Sequence, residues 1–173
     1  MNIQLLPLRE EETIAFKEEM QEAFQQGFQA LFPNEEGNNQ WQVLPDKDFY
    51  QSLNAVGAEA YEALAADGQR VGGAIIVIKA DEHRGELAFL FVKVGVQSKG
   101  IGQTIWKAIE AMHPETKIWE TCTPYFDRRN IHFYINRCGF HTVEFFNEHH
   151  PDPHMPELFD HEDGLFKFVK RMK

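Results

Sequence analysis

The chain has 173 residues, of which 43% are hydrophobic and 13% aromatic, so it is long and apolar enough for residues 1–173 to form a single domain with a sizeable core. The formal net charge of −10 at pH 7 argues against a nucleic-acid partner, whose phosphates would be repelled. The sequence has neither a basic N-terminal segment followed by an apolar one nor an apolar run of about eighteen residues, so we expect a cytoplasmic protein with no membrane partner.

The N-terminal third predicts one strand and two helices. Residues 3–8 read as a short strand, and three glutamates then place negative charge at a helix start, where the helix dipole favours it. Apolar side chains at helical spacing predict a helix with a core-facing stripe, formed by Phe16, Met20, Phe24, Phe28 and Leu31. Residues 33–39 have the composition of a loop, and residues 46–53 predict a second, short helix.

The middle of the chain predicts a mixed sheet. Residues 58–66 and 70–79 form a hairpin pattern around an Asp-Gly turn, and a second turn leads to an apolar strand over residues 87–94. Strands joined by short turns are antiparallel neighbours. The helix predicted for residues 103–112 instead allows the next strand, residues 116–123, to run parallel to its predecessor.

The C-terminal part predicts one more helix and two strands. Residues 128–137 fit a helix that ends before Gly139, because glycine tolerates the left-handed conformation found at helix ends. Residues 140–146 and 165–172 predict two strands that pair with each other. The loop between them, residues 147–163, has a length typical of lids and binding elements.

The segment Gln97-Ser-Lys-Gly-Ile-Gly102 joins the strand at 87–94 to a helix and has features of an anion site. The first N–H groups of a helix lack intrahelical partners and carry partial positive charge. Gly100 and Gly102 leave room for a phosphate near the backbone, and Lys99 adds a full positive charge. A tight turn without a ligand is the alternative, since two glycines alone are weak evidence.

Two motifs in this chain resemble those of the GNAT superfamily of N-acetyltransferases. Gln97-Ser-Lys-Gly-Ile-Gly102, preceded by Phe91-Val92, resembles its coenzyme A pyrophosphate motif. Asn130-Ile-His-Phe-Tyr-Ile-Asn-Arg-Cys-Gly-Phe140 resembles a second motif with an asparagine, a Phe-Tyr pair and a Gly-Phe pair. The resemblance implies a GNAT-like α/β (α+β) fold with a mixed, mostly antiparallel central sheet, flanking helices and a splayed pair formed by the fourth and fifth strands.

The resemblance also implies a cosubstrate, acetyl-CoA, and no metal. Its pyrophosphate would lie on the backbone amides of Gln97, Ser98, Lys99, Gly100, Ile101, Gly102 and Gln103. The pantetheine arm would pair with the backbone at Phe91 and Val92, and an amide near Val92 would polarise the thioester carbonyl. Asn130 and Phe133 would contact the arm.

Three side chains are candidates for proton transfer. The resemblance implies that Tyr134 is the acid that protonates the departing thiolate, and a packing aromatic with a satisfied hydroxyl is the alternative. The attacking amine must first lose a proton, and Glu86 or Glu120 could accept it directly or through water. Either glutamate could instead be an edge charge. Regular alternation would put Glu86, Ala88, Leu90 and Val92 on one face of their strand.

We therefore expect an N-acetyltransferase that moves acetyl directly to a primary amine. A small cationic amine is favoured, and an antibiotic, an amino acid, and a protein N-terminus or lysine are the alternatives. Trp41, Phe49 and Tyr50 are candidates for the acceptor site, with core packing as the alternative. A coenzyme A-binding sensor or interaction module without turnover is the competing hypothesis. The sequence allows a homodimer but does not decide the oligomeric state.

Two other groups of side chains have simpler explanations than catalysis or metal binding. The loop 147–163 carries several candidate ligands, namely His149, His150, Asp152, His154, Asp160 and His161. Their spacing matches no zinc pattern, so we interpret the segment as a solvated loop rather than as evidence for a metal-binding protein. Cys122 and Cys138 lie in apolar stretches, and we expect both to be core residues in a reducing compartment.

Overall fold

A mixed sheet runs through the part of the chain that the computed structural model describes, which is residues 2–33, 42–96, 100–153 and 164–173. Its strands are β1 (Ile3–Pro7), β2 (Ala58–Ala65), β3 (Arg70–Lys79), β4 (Arg84–Val92), β5 (Ile118–Pro124), β6 (His141–Phe146) and β7 (Leu165–Arg171). They lie in the order β1-β2-β3-β4-β5-β7-β6. β4 and β5 are parallel and the other neighbours are antiparallel, which confirms the predicted sheet.

Helices cover both faces of this sheet. They are α1 (Thr13–Leu31), α2 (Asp46–Leu53), α3 (Ile101–Met112) and α4 (Arg128–His132), which continues into a π-helical turn (Phe133–Arg137). Within the described ranges, none of the helices is long and apolar enough to cross a membrane.

Two buried clusters show which helix covers which face. The α1 cluster contains Phe16, Met20, Leu44, Phe49, Ile75 and Phe91. The larger α3 cluster is centred on Ile105, Trp106, Ile109, Trp119, Phe140 and Phe168. Ile75 belongs to the first cluster and its neighbours Ala74 and Ile76 to the second, so the clusters lie on opposite faces of the sheet.

Most predicted elements are confirmed, and their ends differ by a few residues. The short helix at 46–53 has the predicted limits, whereas α3 begins two residues earlier, at Ile101. The segment 128–137 is divided into an α-helical and a π-helical part. Most of the loop predicted for residues 33–39 lies outside the described residues.

A bulge interrupts the regular alternation of β4. Ile75 pairs with Phe89 and the next residue, Ile76, pairs with Leu87. Ala88 is therefore an extra residue on β4 with no partner of its own on β3. Such a bulge bends the strand and increases its twist, and it reverses the side-chain alternation beyond that point.

The predicted common face for Glu86, Ala88, Leu90 and Val92 is therefore wrong. Glu86 precedes a residue of the α3 cluster and so points to the α1 face, where Ala88 also packs. Phe89 lies on the α1 face too, while Leu90 and Val92 pack on the α3 cluster. Regular alternation through Ala88 predicts the wrong face, because the apolar sequence of β4 does not mark the bulge.

A buried charge cluster attaches α1 to the sheet. The Glu62 side chain on β2 is 0% exposed and accepts hydrogen bonds from Arg9 and Arg70, with Arg9 Nε at 3.0 Å. Arg70 Nε also donates to Glu19 Oε2 of α1 at 2.6 Å. Burial acts to raise the pKa of Glu62, but the two guanidinium groups outweigh it and hold that pKa below its usual value.

We expect Arg70→Ala to destabilise the fold, because Glu62 and Glu19 each lose one of their two cations and keep Arg9 and Lys93, respectively. Loss of one member of a buried ion cluster costs about 3 kcal/mol of unfolding free energy, which urea denaturation would measure. Lys17→Ala is the control, because its partner Asp46 is exposed and no charge is left buried. Equal losses in the two variants would contradict a structural role for the cluster.

Candidate functional site

β4 and β5 are paired only at one end. Arg84, Gly85 and Glu86 pair with Ile118, Trp119 and Glu120. A hydrogen bond from Thr121 Oγ1 to the Leu87 carbonyl, 2.9 Å long, follows this pairing. Beyond that point β4 keeps its ladder with β3 and β5 keeps its ladder with β7, so a gap opens between them. The predicted splayed pair is confirmed.

Backbone amides of β4 point into this gap. Lys93 N donates to the Val71 carbonyl on β3 at 2.8 Å. Since N–H directions alternate along a strand, the amides of Leu90 and Val92 point away from β3 and toward the gap. An extended ligand with its own amide groups could pair with them in the manner of a β-strand.

The N-terminus of α3 lies after the end of β4. Gly100 has a φ of 84°, a left-handed conformation that favours glycine, and α3 begins at Ile101. The first intrahelical bond runs from Thr104 N to the Gly100 carbonyl at 2.9 Å, so the amides of Ile101, Gly102 and Gln103 have no acceptor in the helix. Gln97, Ser98 and Lys99 lie outside the described residues, and their role stays a prediction.

The two glycines of the motif have different surroundings. A Cβ at Gly100 would meet nothing within 4 Å, so the space beside it is open. A Cβ at Gly102 would lie 3.1 Å from Cζ of Phe133, so this glycine lets α3 pack on that ring. The Gln103 side chain donates to the Arg137 carbonyl at 2.8 Å and joins α3 to the π-helical turn.

Tyr134 is held in the π-helical turn at the side of the gap. Its side chain is 7% exposed and packs on Phe133, Phe140 and Phe168, with ring centroids 5.4, 5.8 and 5.9 Å away. Burial raises the pKa of the phenol, while a hydrogen bond with Thr121 acts in the opposite direction. The phenol is therefore protonated at neutral pH and lies beside the last contact between β4 and β5.

Asn130 is engaged in a helix cap. Its backbone N–H donates to Asp127 Oδ1 at 3.1 Å and its side-chain amide donates to Asp127 Oδ2 at 2.8 Å. This arrangement fixes the start of α4 and thereby the position of the following Phe-Tyr pair. A contact of Asn130 with a ligand stays a prediction.

The two candidate carboxylates are register partners on the α1 face, but their environments differ. Glu120 binds Arg84 and lies 3.9 Å from Lys167 Nζ. Glu86 forms no ion pair with any described residue and is open to solvent on one side. Desolvation by the surrounding protein raises the pKa of Glu86; Lys79 opposes this shift and Glu120 adds to it.

Cys122 corrects one sequence prediction. Cys138 is buried as expected, but Cys122 is exposed on β5 and points to the α1 face beside Glu86. Alternation places Cys122 on the side opposite to Thr121 and Thr123, which are buried. Desolvation and the nearby carboxylates, Glu86 foremost, raise the pKa of Cys122 to about 12, so its thiol is not ionised at neutral pH.

The remaining predicted site residues separate into core, surface and undescribed positions. Phe49 is fully buried in the α1 cluster, so core packing is the correct interpretation for it. Tyr50 is 36% exposed, with Lys17 Nζ 5.2 Å from its ring centroid. Trp41 lies outside the described residues, as do His154, Asp160 and His161. The described residues contain no group of three metal ligands.

The sequence indicated no site role for Thr121 or for the amide of Leu90, and Asp152 was considered only as a possible metal ligand. Thr121 connects the two diverging strands and contacts Tyr134, and Leu90 supplies a second amide to the gap. Asp152 acts on the pKa of both Glu86 and Cys122, so the start of the loop at 147–163 reaches the α1 face of β5. In the sequence, only the length of that loop indicated that it contributes to a site.

A sheet with one parallel splayed pair and a free helix N-terminus beside the gap is the GNAT-like fold that the two sequence motifs predicted. The acetyltransferase (GNAT) family model matches residues 15–140. The uncharacterized protein YrkN of Bacillus subtilis strain 168 is 43% identical, over 95% of this chain and 91% of that protein. The chain therefore belongs to the GNAT family of acyl-CoA-dependent acetyltransferases.

Solved structures agree on the fold. A Bacillus subtilis acetyltransferase in complex with CoA has a TM-score of 0.65 at 18% identity, covering 99% of this chain and 98% of that one. A GNAT acetyltransferase from Elizabethkingia anophelis with acetyl-CoA bound has a TM-score of 0.69 at 13% identity, covering 99% of both chains. The PaiA N-acetyltransferase of Thermoplasma acidophilum in complex with coenzyme A has a TM-score of 0.66 at 18% identity, covering 99% of this chain and all 100% of that one.

The raised pKa of Glu86 predicts that its ionised carboxylate destabilises the folded protein at neutral pH. Consider a carboxyl group whose pKa is higher in the folded protein than in the unfolded chain. At any pH above its pKa in the unfolded chain, this group destabilises the fold. Glu86→Gln should therefore raise the melting temperature at pH 7, and the gain should vanish below about pH 4, where the unfolded carboxyl is also protonated. Calorimetry at several pH values would measure it.

Glu120→Gln is the control, because removing its charge leaves Arg84 and Lys167 without their partner and should lower the melting temperature. A lower melting temperature for Glu86→Gln at pH 7 would contradict an unpaired, desolvated carboxylate.

Proposed function

We propose that this protein transfers acetyl from acetyl-CoA directly to the nitrogen of a primary amine on a small cationic molecule. Acetyl transfer follows from the family, and the direct route and the amine acceptor are the proposal. The observation that supports it most is the gap between β4 and β5, which has free amides on one edge, a neutral phenol at its closed end and an unpaired carboxylate on the α1 face.

The donor site is proposed along β4 and α3. The amides of Ile101, Gly102 and Gln103, together with those at 97–100, would bind the pyrophosphate with the positive end of the helix dipole. The pantetheine arm would pair with Leu90 and Val92. The amide of Phe91 faces β3 and its ring lies in the α1 cluster, so Phe91 supports the strand rather than the ligand. The Val92 amide would polarise the thioester carbonyl.

Glu86 is the proposed base. An alkyl ammonium has a pKa of about 10.4 and must lose a proton before its nitrogen can attack the thioester carbon. A carboxyl with a raised pKa accepts that proton, directly or through water, more readily than an ordinary one. Arg84 and Lys167 neutralise the charge of Glu120, so we propose a structural role for it, in which it holds β5 to its neighbouring strands where the gap begins.

Tyr134 is the proposed acid. When the carbon–sulfur bond breaks, the thiolate of coenzyme A needs a proton, and the phenol would supply it from the closed end of the gap. Its raised pKa keeps the proton in place until the thiolate forms and disfavours a lasting tyrosinate. The nitrogen loses a second proton as the amide forms, and through water this proton restores the phenol of Tyr134. Glu86 then releases the first proton to solvent, which completes the cycle.

The cytoplasm is the proposed location, since both described cysteines are free thiols.

Tyr134→Phe separates turnover from binding. The ring contacts are kept, so the fold and the affinity for coenzyme A should stay nearly unchanged. Loss of the general acid should lower kcat by about 10²-fold or more, measured by thiol release with an amine acceptor. Full activity in the variant would assign Tyr134 to packing. A wild-type protein that binds acetyl-CoA and releases no thiol with any amine would favour the sensor hypothesis.

Glu86→Gln and Glu120→Gln distinguish the two carboxylates. We expect Glu86→Gln to lower kcat/KM by about 10²-fold near neutral pH and to recover part of the loss at high pH, where the amine is already neutral. Glu120→Gln should mainly lower the melting temperature. A pH-dependent loss of kcat/KM in Glu120→Gln, with little change in Glu86→Gln, would show that Glu120 is the base.

A further inference from the structure

A group of partly exposed phenylalanines lies on the α1 face of the sheet. We call this group the aromatic wall; its members are Phe24, Phe28, Phe32, Phe89 and Phe126. Ring centroids are 5.9 Å apart for Phe24 and Phe89, 6.1 Å for Phe28 and Phe126, and 5.2 Å for Phe32 and Phe126. Single exposed apolar residues need no explanation, but a contiguous aromatic patch indicates a binding surface.

The aromatic wall bridges the gap between β4 and β5. Phe16, near the start of α1, contacts Phe91 of β4 with ring centroids 5.3 Å apart, and Phe24 contacts Phe89 of the same strand. Further along α1, Phe28 contacts Phe126, which follows the end of β5. The helix thus passes from β4 to the segment after β5, and its aromatic side chains line the opening on that face.

The only aromatic residue of the wall on β4 is close to the proposed base. Phe89 follows Glu86 by three residues on the same face, because the bulge at Ala88 places both on the α1 side. At about 3.3 Å per residue, the two positions are roughly 10 Å apart or slightly less. A carboxylate and an aromatic surface are therefore separated by the length of a short linker.

The chemistry of the two parts is complementary to one kind of acceptor. The five members of the wall offer rings for stacking and apolar contact and have no hydrogen-bonding group, while Tyr125, 5.6 Å from Phe126 between ring centroids, adds one phenol at the edge. Glu86 and Asp152 supply negative charge for the amine. A polyamine or an amino sugar would place polar or charged groups on the wall, where their desolvation is unfavourable.

We propose that the acceptor is a primary amine joined through a short linker to an aromatic or similarly apolar group, with that group seated on the aromatic wall. The inference rests on the proposed function and adds the substrate class to it. The amine lies at Glu86, and the ring contacts Phe89, Phe126 and the α1 phenylalanines.

The test compares two monocationic acceptors, one with and one without an aromatic ring, and one dicationic acceptor, using the protein with acetyl-CoA. Thiol release is measured for 2-phenylethylamine, ethylamine and 1,4-diaminobutane. We expect kcat/KM for phenylethylamine to exceed that for ethylamine by about 100-fold, which is the selectivity that burial of one large apolar group typically gives. Phe126→Ala and Phe89→Ala should each reduce this preference, the ratio of the two kcat/KM values, by about tenfold.

Phe145→Ala is the matched control. Phe145 is 40% exposed on the edge strand β6 and contacts Phe166, away from the aromatic wall. The variant removes an exposed ring and should leave the preference unchanged. An equal effect of Phe145→Ala and Phe126→Ala would overturn the assignment.

The outcomes separate this inference from the proposed function. Turnover of ethylamine or diaminobutane with no preference for phenylethylamine overturns the aromatic acceptor and keeps the amine transferase. A strong preference for peptides with an aromatic N-terminal residue over phenylethylamine overturns the small-molecule acceptor. Absence of turnover with every amine overturns the proposed function. In that case calorimetric titration of phenylethylamine into the coenzyme A-loaded protein decides the inference, and binding that Phe126→Ala does not weaken overturns it.

Discussion

The divergence of β4 from β5 is the constraint on which the other features depend. Each strand keeps a full ladder with its outer neighbour, β3 or β7, and the two share only three residue pairs. Backbone amides that point into such a gap have no partner in the protein and need water or a ligand. The bulge at Ala88 adds to the effect, because it bends β4 and turns Phe89 toward the α1 face. A strand-like ligand can therefore enter the sheet without displacing an existing hydrogen bond.

The gap also separates the two substrates. On the α3 side, Gly102 allows the first turn of the helix to pack on Phe133, which brings free amides and Tyr134 to the same region. On the α1 side, Glu86 and Asp152 form an acidic surface beside the neutral thiol of Cys122 and next to the aromatic wall. The donor would thus approach from one face and the acceptor from the other. The buried cluster around Glu62 holds α1 in place and so fixes the acceptor face as well.

The sequence predicted the parts of this arrangement that depend on local patterns. The hairpin of β2 and β3, the Gly100 turn and the Phe-Tyr pair all follow from residues close together in the chain. The bulge at Ala88 could not be predicted, because nothing in an apolar run marks the residue that lacks a partner. The difference between Glu86 and Glu120 depends on Arg84 and Lys167, and the second of these comes from a distant strand. The exposure of Cys122 and the bridge from Phe28 to Phe126 likewise arise only from tertiary packing.

A crystal structure of the protein with coenzyme A bound would decide whether the gap between β4 and β5 is the donor site. We expect the diphosphate within hydrogen-bonding distance of the amides of Ile101, Gly102 and Gln103. We also expect the pantetheine arm between β4 and β5, paired with the amides of Leu90 and Val92, and its sulfur beside Tyr134. A ligand bound outside the gap, or a gap closed by continued pairing of the two strands, would contradict this donor site.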